Sequence, residues 1–168
     1  MTIRLNTLAA KVLASAVTLA CLCGQAVSAD DLLDWNKARA KLFSQVCMKA
    51  APDFGAFARL AAKAGFQQTG DDLLYQPEVV ISLQQDQGAC TCMMTAGAPE
   101  PASLVVAMFE RMQADFPGAW MPKSQSGSVN NTVFKRGGVD VAVRLMPAEV
   151  DGQPWILATA TTPGACPK

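Results

Sequence analysis

The stretch VVISLQQDQGACTCMMT, Val79 to Thr95, decides the fold of this 168-residue chain. Val79, Ile81 and Leu83 alternate with Val80, Ser82 and Gln84, the period of two that marks a strand with one buried face. Gln85-Asp86-Gln87-Gly88 turns the chain back into Ala89 to Thr95, so the segment reads as an antiparallel hairpin whose return strand carries Cys90 and Cys92.

Upstream the period changes. Asp30 and Asp31 can cap a helix in which Leu32, Trp35, Ala38, Leu42, Phe43 and Val46 recur at three- and four-residue steps. Asp34, Lys37 and Lys41 form its solvated face, and it ends near Ala50, before Pro52. A second helix follows, with Phe54, Phe57, Ala58, Ala61 and Ala62 on one side and Gly65-Phe66 as a left-handed cap. A polar turn spans Gly70 to Asp72.

Downstream, Pro99 and Pro101 open a third helix. Val105, Met108, Phe109, Met112 and Phe116 keep helical spacing until Pro117-Gly118 stops it. Three further strands, Thr132 to Phe134, Val139 to Leu145 and Trp155 to Thr161, are separated by the turn Lys135 to Gly138 and a loop from Pro147 to Pro154. Lys123 to Asn131, rich in Ser, Gly and Asn, reads as a mobile loop. The expected fold is α+β: two N-terminal helices, a hairpin, a third helix and a three-stranded antiparallel meander, with the helices on one face of one antiparallel sheet.

The N-terminal 29 residues carry a different signal. Arg4 and Lys11 precede an apolar run from Val12 to Cys23, which is shorter than the about 20 residues a membrane span needs, and Ala26-Val27-Ser28-Ala29 supplies small residues for a signal peptidase. Cleavage between Ala29 and Asp30 is expected, giving a signal peptide over 1–29 and a single domain over 30–168. The protein is then exported, periplasmic or extracellular, without a membrane anchor after cleavage. A competing reading sees Thr18-Leu19-Ala20-Cys21 as a lipoprotein box with Cys21 acylated, against which Thr18 stands where Leu is expected.

Processing removes Arg4 and Lys11 and leaves a net charge of about −2, with no basic block to suggest nucleic acid. It also removes Cys21 and Cys23, leaving Cys47, Cys90, Cys92 and Cys166. An even count in an exported chain suggests two disulfides. Residues two apart on a strand make poor disulfide partners, so Cys90 and Cys92 each pair elsewhere. Cys47–Cys90 with Cys92–Cys166 is the preferred pairing, the first tying helix to hairpin and the second pinning the tail; the swapped pairing stays open.

Cys90-x-Cys92 followed by Met93 and Met94 also gathers soft ligands suited to Cu(I), an alternative that requires reduced cysteines. The chain has no histidine, which excludes Ser-His-Asp and Cys-His sites and the commonest zinc ligand. No glycine-rich phosphate loop, dinucleotide fingerprint or EF-hand occurs. Asp71-Asp72 beside Gly70 reads as a solvated turn, so no catalytic residue and no cofactor are assigned, and an enzyme of unfamiliar type ranks last. Trp35 falls on the buried stripe of the first helix and Trp155 reads as core. Trp120, between Pro117 and Pro122, is the indole expected at the surface, forming a recognition edge with Lys123 and Asn130 for a periplasmic protein or small ligand.

Phe43-Ser44-Gln45-Val46-Cys47, Pro52-Asp53-Phe54, Gly65-Phe66 and Cys90 within a hairpin together resemble a loose group of small exported proteins of Gram-negative bacteria to which no activity is assigned. The resemblance spans Leu42 to Trp120 and implies a periplasmic α+β domain and no particular reaction. Cys92 and Cys166 are extra to that pattern, which favours their pairing with each other and leaves Cys47 for Cys90.

Overall fold

A computed structural model describes residues 28–69, 72–74, 78–118, 120–126 and 129–167, with the side chains of 72–74 and 121–130 outside that description. Helices α1 (Ala29–Phe43), α2 (Phe57–Lys63) and α3 (Pro101–Asp115) accompany eight strands: β1 (Gln67–Thr69), β2 (Asp72–Leu74), β3 (Val79–Asp86), β4 (Ala89–Gly97), β5 (Trp120–Ser126), β6 (Val129–Arg136), β7 (Val139–Val150) and β8 (Gln153–Pro163). All eight form one antiparallel sheet in the order β1-β2-β3-β4-β8-β7-β6-β5. The fold is α+β, as the periodicities imply, but the expected hairpin and three-stranded meander account for only five of these eight strands; β1, β2 and β5 are additional, and β5 makes the meander four-stranded.

The long pairing of β4 with β8 joins the hairpin to the meander. Cross-strand partners share a face, so Leu83, Cys92, Ala160 and Val143 form one row and Ile81, Met94, Ala158 and Leu145 the next. These rows, nearly all buried, lie on the face that the helices cover. Ala158 and Ala160, small residues at the sheet centre, leave room for the side chains of α3 and of a π-helical turn, Ser44–Met48, that continues α1. Thr91, Met93, Thr95, Leu157, Thr159 and Thr161 alternate onto the opposite, half-exposed face.

Three tight turns set the registers. Gln87-Gly88, Gly137-Gly138 and Asp151-Gly152 all have positive φ at both residues, as type I′ turns require because their twist matches that of the flanking strands. The last replaces the expected Pro147 to Pro154 loop: β7 and β8 run straight through both prolines. The proline positions explain this, since the pairing of β6 on β7 stops at Leu145 and that of β4 on β8 at Trp155. Pro147 and Pro154 therefore sit on a two-stranded ribbon with one neighbour each, where proline is tolerated. Within the expected Lys123 to Asn131 loop, Lys123 to Ser126 belong to β5 and Val129 to Asn131 to β6, while residues 127 and 128 lie outside the described residues.

Two further corrections concern the N-terminal half. Ser28, not Asp30 or Asp31, is the N-cap of α1, its Oγ accepting from the Asp31 N–H at 3.1 Å. The second helix is shorter than expected: Phe54 precedes it at φ +54, and Ala58 and Ala62 are exposed while Phe57, Leu60 and Ala61 are buried. Its end is as expected. Gly65 at φ +91 lets the N–H of Phe66 reach the Ala61 carbonyl and that of Gly65 the Ala62 carbonyl, a Schellman cap.

Two disulfides bond Cys47 to Cys92 and Cys90 to Cys166, the swapped pairing rather than the preferred one. The β-register is the reason. Pro163 pairs with Ala89 at the open end of β4, so the tail leaves the sheet beside Cys90, and Gly164 turns it back by donating to the Gly88 carbonyl. Cys166 then meets Cys90. Cys92 lies deeper, beneath the π-helical turn that carries Cys47, and both are fully buried.

Candidate functional site

Three segments converge at the end of the sheet where the β7–β8 ribbon begins. The exit of β4 supplies Gly97, Ala98 and Pro99, the start of β8 supplies Gln153, Pro154 and Trp155, and α1 supplies Trp35, with Glu78 just ahead of β3. Together they line a hollow of about 550 Å³. Backbone hydrogen bonds fix its walls: the Gly97 N–H donates to the Glu78 carbonyl at 2.8 Å and the Ala98 N–H to the Pro154 carbonyl at 2.9 Å.

Arg39, one turn beyond Trp35 on α1, organises the helical wall. Its guanidinium carbon stands 3.8 Å from the centroid of the Trp35 ring, and its Nη2 lies 3.7 Å from Glu78 Oε2. The Arg39 side chain is only 9% exposed whereas that of Glu78 is 54% exposed, so the pair spans from the core to the mouth of the hollow. The cation covers one indole and the carboxylate remains open to solvent. Gly97 completes the wall, since a Cβ there would stand 3.3 Å from the Glu78 Cβ.

Asn36 borders a neighbouring hollow with Leu32, Leu33, Glu100 and Ser103. Asn36 is buried, and its Oδ1 has no hydrogen-bond partner among the described residues. In that hollow Ser103 Oγ donates to Glu100 Oε2 at 3.0 Å, so the carboxylate is held at the start of α3.

The indoles are placed differently from expectation. Trp155 is half-exposed in the hollow and is not core, and Trp35 packs on the core while also lining the hollow. Neither signal was available to periodicity, because the hollow exists only where α1, β4 and β8 meet. Trp120 is half-buried, stacked on Phe134 with ring centroids 4.8 Å apart, and its Nε1 donates to the Phe116 carbonyl at 3.0 Å. The side chains of Lys123 and Asn130 lie outside the described residues.

The sulfurs named as copper ligands do not converge. Cys90 and Cys92 are each committed to a disulfide, and Met93 and Met94, adjacent on a strand, point to opposite faces, Met94 being fully buried. Among the described residues no group of three or more His, Cys, Asp or Glu is placed to hold a metal ion.

Asp115 has a displaced carboxyl: burial acts to raise it, but the Ser44 hydroxyl at 2.6 Å, the Arg111 guanidinium at 2.8 Å and the charge of Lys49 outweigh burial and hold it below its ordinary value. These contacts tie α3 to the π-helical turn and serve architecture. Among the described residues no helix is long and apolar enough to cross a membrane. The two disulfides belong to a chain that folds in an oxidising compartment. Set against protein-family models, curated proteins and solved structures, the chain matches none of them.

Proposed function

We propose that the protein is a non-catalytic binding or accessory module of the bacterial periplasm, exported by cleavage between Ala29 and Asp30 and stapled by its two disulfides. One observation carries the binding reading. The hollow between Trp35 and Trp155 is largely apolar and aromatic, and the one ionisable lining group among the described residues, Glu78, is already paired with Arg39. Such a surface binds by area and shape with one polar anchor, whereas acid–base or nucleophilic catalysis needs convergent titrating groups.

The ligand is a small molecule or a segment of another periplasmic protein that presents an apolar group to the indoles and a hydrogen-bond donor to Glu78. Screening the purified, oxidised protein by thermal shift and tryptophan fluorescence tests this, with Trp155→Ala run in parallel. A hit that stabilises wild type and binds Trp155→Ala at least about tenfold more weakly supports the reading. Hits unaffected by the substitution, or converted to a product, overturn it. For export, N-terminal sequencing of the protein in fractionated cells is expected to begin at Asp30; an uncut chain in the cytosol overturns that part.

A further inference from the structure

We propose that Gln45, Lys49, Arg59 and Lys63 form a binding site for a phosphate group, on a part of the molecule separate from the indole hollow. The four residues, with Leu60 and Ala64, line a hollow of about 310 Å³. Gln45 and Lys49 come from the π-helical turn and the residue that caps it, and Arg59 and Lys63 stand four apart on α2. Both pairs line this one hollow. Buried Leu60 forms the floor.

The scaffold holds these elements firmly. Cys47, inside the π-helical turn, is bonded to Cys92 of the sheet. The connection between the turn and α2 is pinned where the Thr162 hydroxyl donates to the Pro52 carbonyl at 2.7 Å and the Phe57 N–H to the Phe54 carbonyl at 2.9 Å. Arg136 adds a further positive charge at this end, its Nη1 donating to the carbonyls of Met48 and Lys49 at 2.7 and 3.2 Å.

Charge balance points to an anion. Among the described residues, none of Lys49, Arg59 and Lys63 forms an ion pair. Asp115 feels the charge of Lys49 but directs Oδ2 to Ser44 and Arg111. Three cations and an amide suit a doubly charged oxyanion better than a single carboxylate, and arginine matches phosphate oxygens in a two-pronged geometry. The hollow accommodates one phosphate group with a small substituent, unlike the extended basic stripe that a nucleic-acid backbone requires.

Amide and side-chain chemical shifts of the oxidised, purified protein, titrated with inorganic phosphate, test the assignment, with sodium acetate as the singly charged comparison. Saturable shifts confined to Gln45, Lys49, Arg59 and Lys63, weakened by added salt, are expected. The double variant Arg59→Gln/Lys63→Gln should bind at least about tenfold more weakly with little change in melting temperature, while Lys135→Gln, on the opposite face of β6 from Arg136 and paired with Asp140, should bind as wild type. Linear shifts spread over all lysines, equal loss in Lys135→Gln, or acetate binding as tightly as phosphate would overturn the site. Flotation with phosphatidylcholine vesicles containing phosphatidic acid separates the sources: co-flotation lost in the double variant supports a lipid headgroup, and phosphate binding without flotation supports a soluble phosphate. Neither interaction occurring overturns the proposal.

Discussion

The guanidinium of Arg39 lies over the Trp35 indole while reaching toward the carboxylate of Glu78. Arg39 thus holds a ring and an anion in place at the mouth of the indole hollow from a position that is itself buried. Arg39→Ala is expected to cost about 2 kcal/mol, because it removes a buried side chain packed against the indole. Trp155→Ala, on the open side, should cost about 1 kcal/mol or less. Urea denaturation of the two variants checks the contrast; equal losses would mean that Arg39 is an ordinary surface cation.

Gly97→Ala tests how tightly the wall is built. The new methyl would press on Glu78 at 3.3 Å, so either the strand exit or the Glu78 side chain must shift. We expect a loss of about 1 kcal/mol together with a change in tryptophan emission, since Glu78 is linked to Trp35 through Arg39. An unchanged emission spectrum at unchanged stability would show that the wall yields freely.

The two disulfides should contribute unequally. In the chain-entropy model each closes a loop worth about 4 kcal/mol, with sequence separations of 45 and 76 residues. Cys47 and Cys92 are also fully buried, so Cys47→Ala/Cys92→Ala leaves voids in the core in addition to freeing the chain. It should destabilise more than Cys90→Ala/Cys166→Ala, in which the tail alone is released. Chemical denaturation compares them. Because one residue separates Cys90 from Cys92, peptide mapping needs stepwise reduction and alkylation to resolve the linkage Cys47–Cys92.

Asp115 sets a pH dependence. Its folded carboxyl titrates below its ordinary value of 3.8, so the stability it confers is complete above that pH and is lost as pH falls through the folded value. Asp115→Asn should lower stability by about 1 kcal/mol at neutral pH, through weaker bonds to Ser44 and Arg111, and the gap to wild type should close in strong acid. A gap that persists at the lowest pH would point to lost packing instead of lost charge.

Much of the framework was legible in single segments. The alternation of Val79 to Leu83 and the helical spacing of Val105, Met108 and Met112 record which side of each element is buried, and Gly65 and Gly88 mark bends that need positive φ. Within the expected Lys123 to Asn131 loop the strand ends up to Ser126 and from Val129 were not legible, because β5 and β6 owe their pairing to the sheet they complete. Pro147 and Pro154 misled for a related reason: whether proline interrupts a strand depends on which neighbour is missing.

Residue types and their order determined the α+β class, the positions of the helices and of the central hairpin, and the absence of histidine chemistry. Tertiary structure alone decided the cysteine partners, through the register that sets Pro163 beside Ala89. It alone also brought Trp35 to Trp155 and gathered Lys49, Arg59 and Lys63 around one hollow. Local pattern reports which face of an element is buried; the neighbours that meet there are set by long-range pairing and packing, which no short stretch of chain encodes.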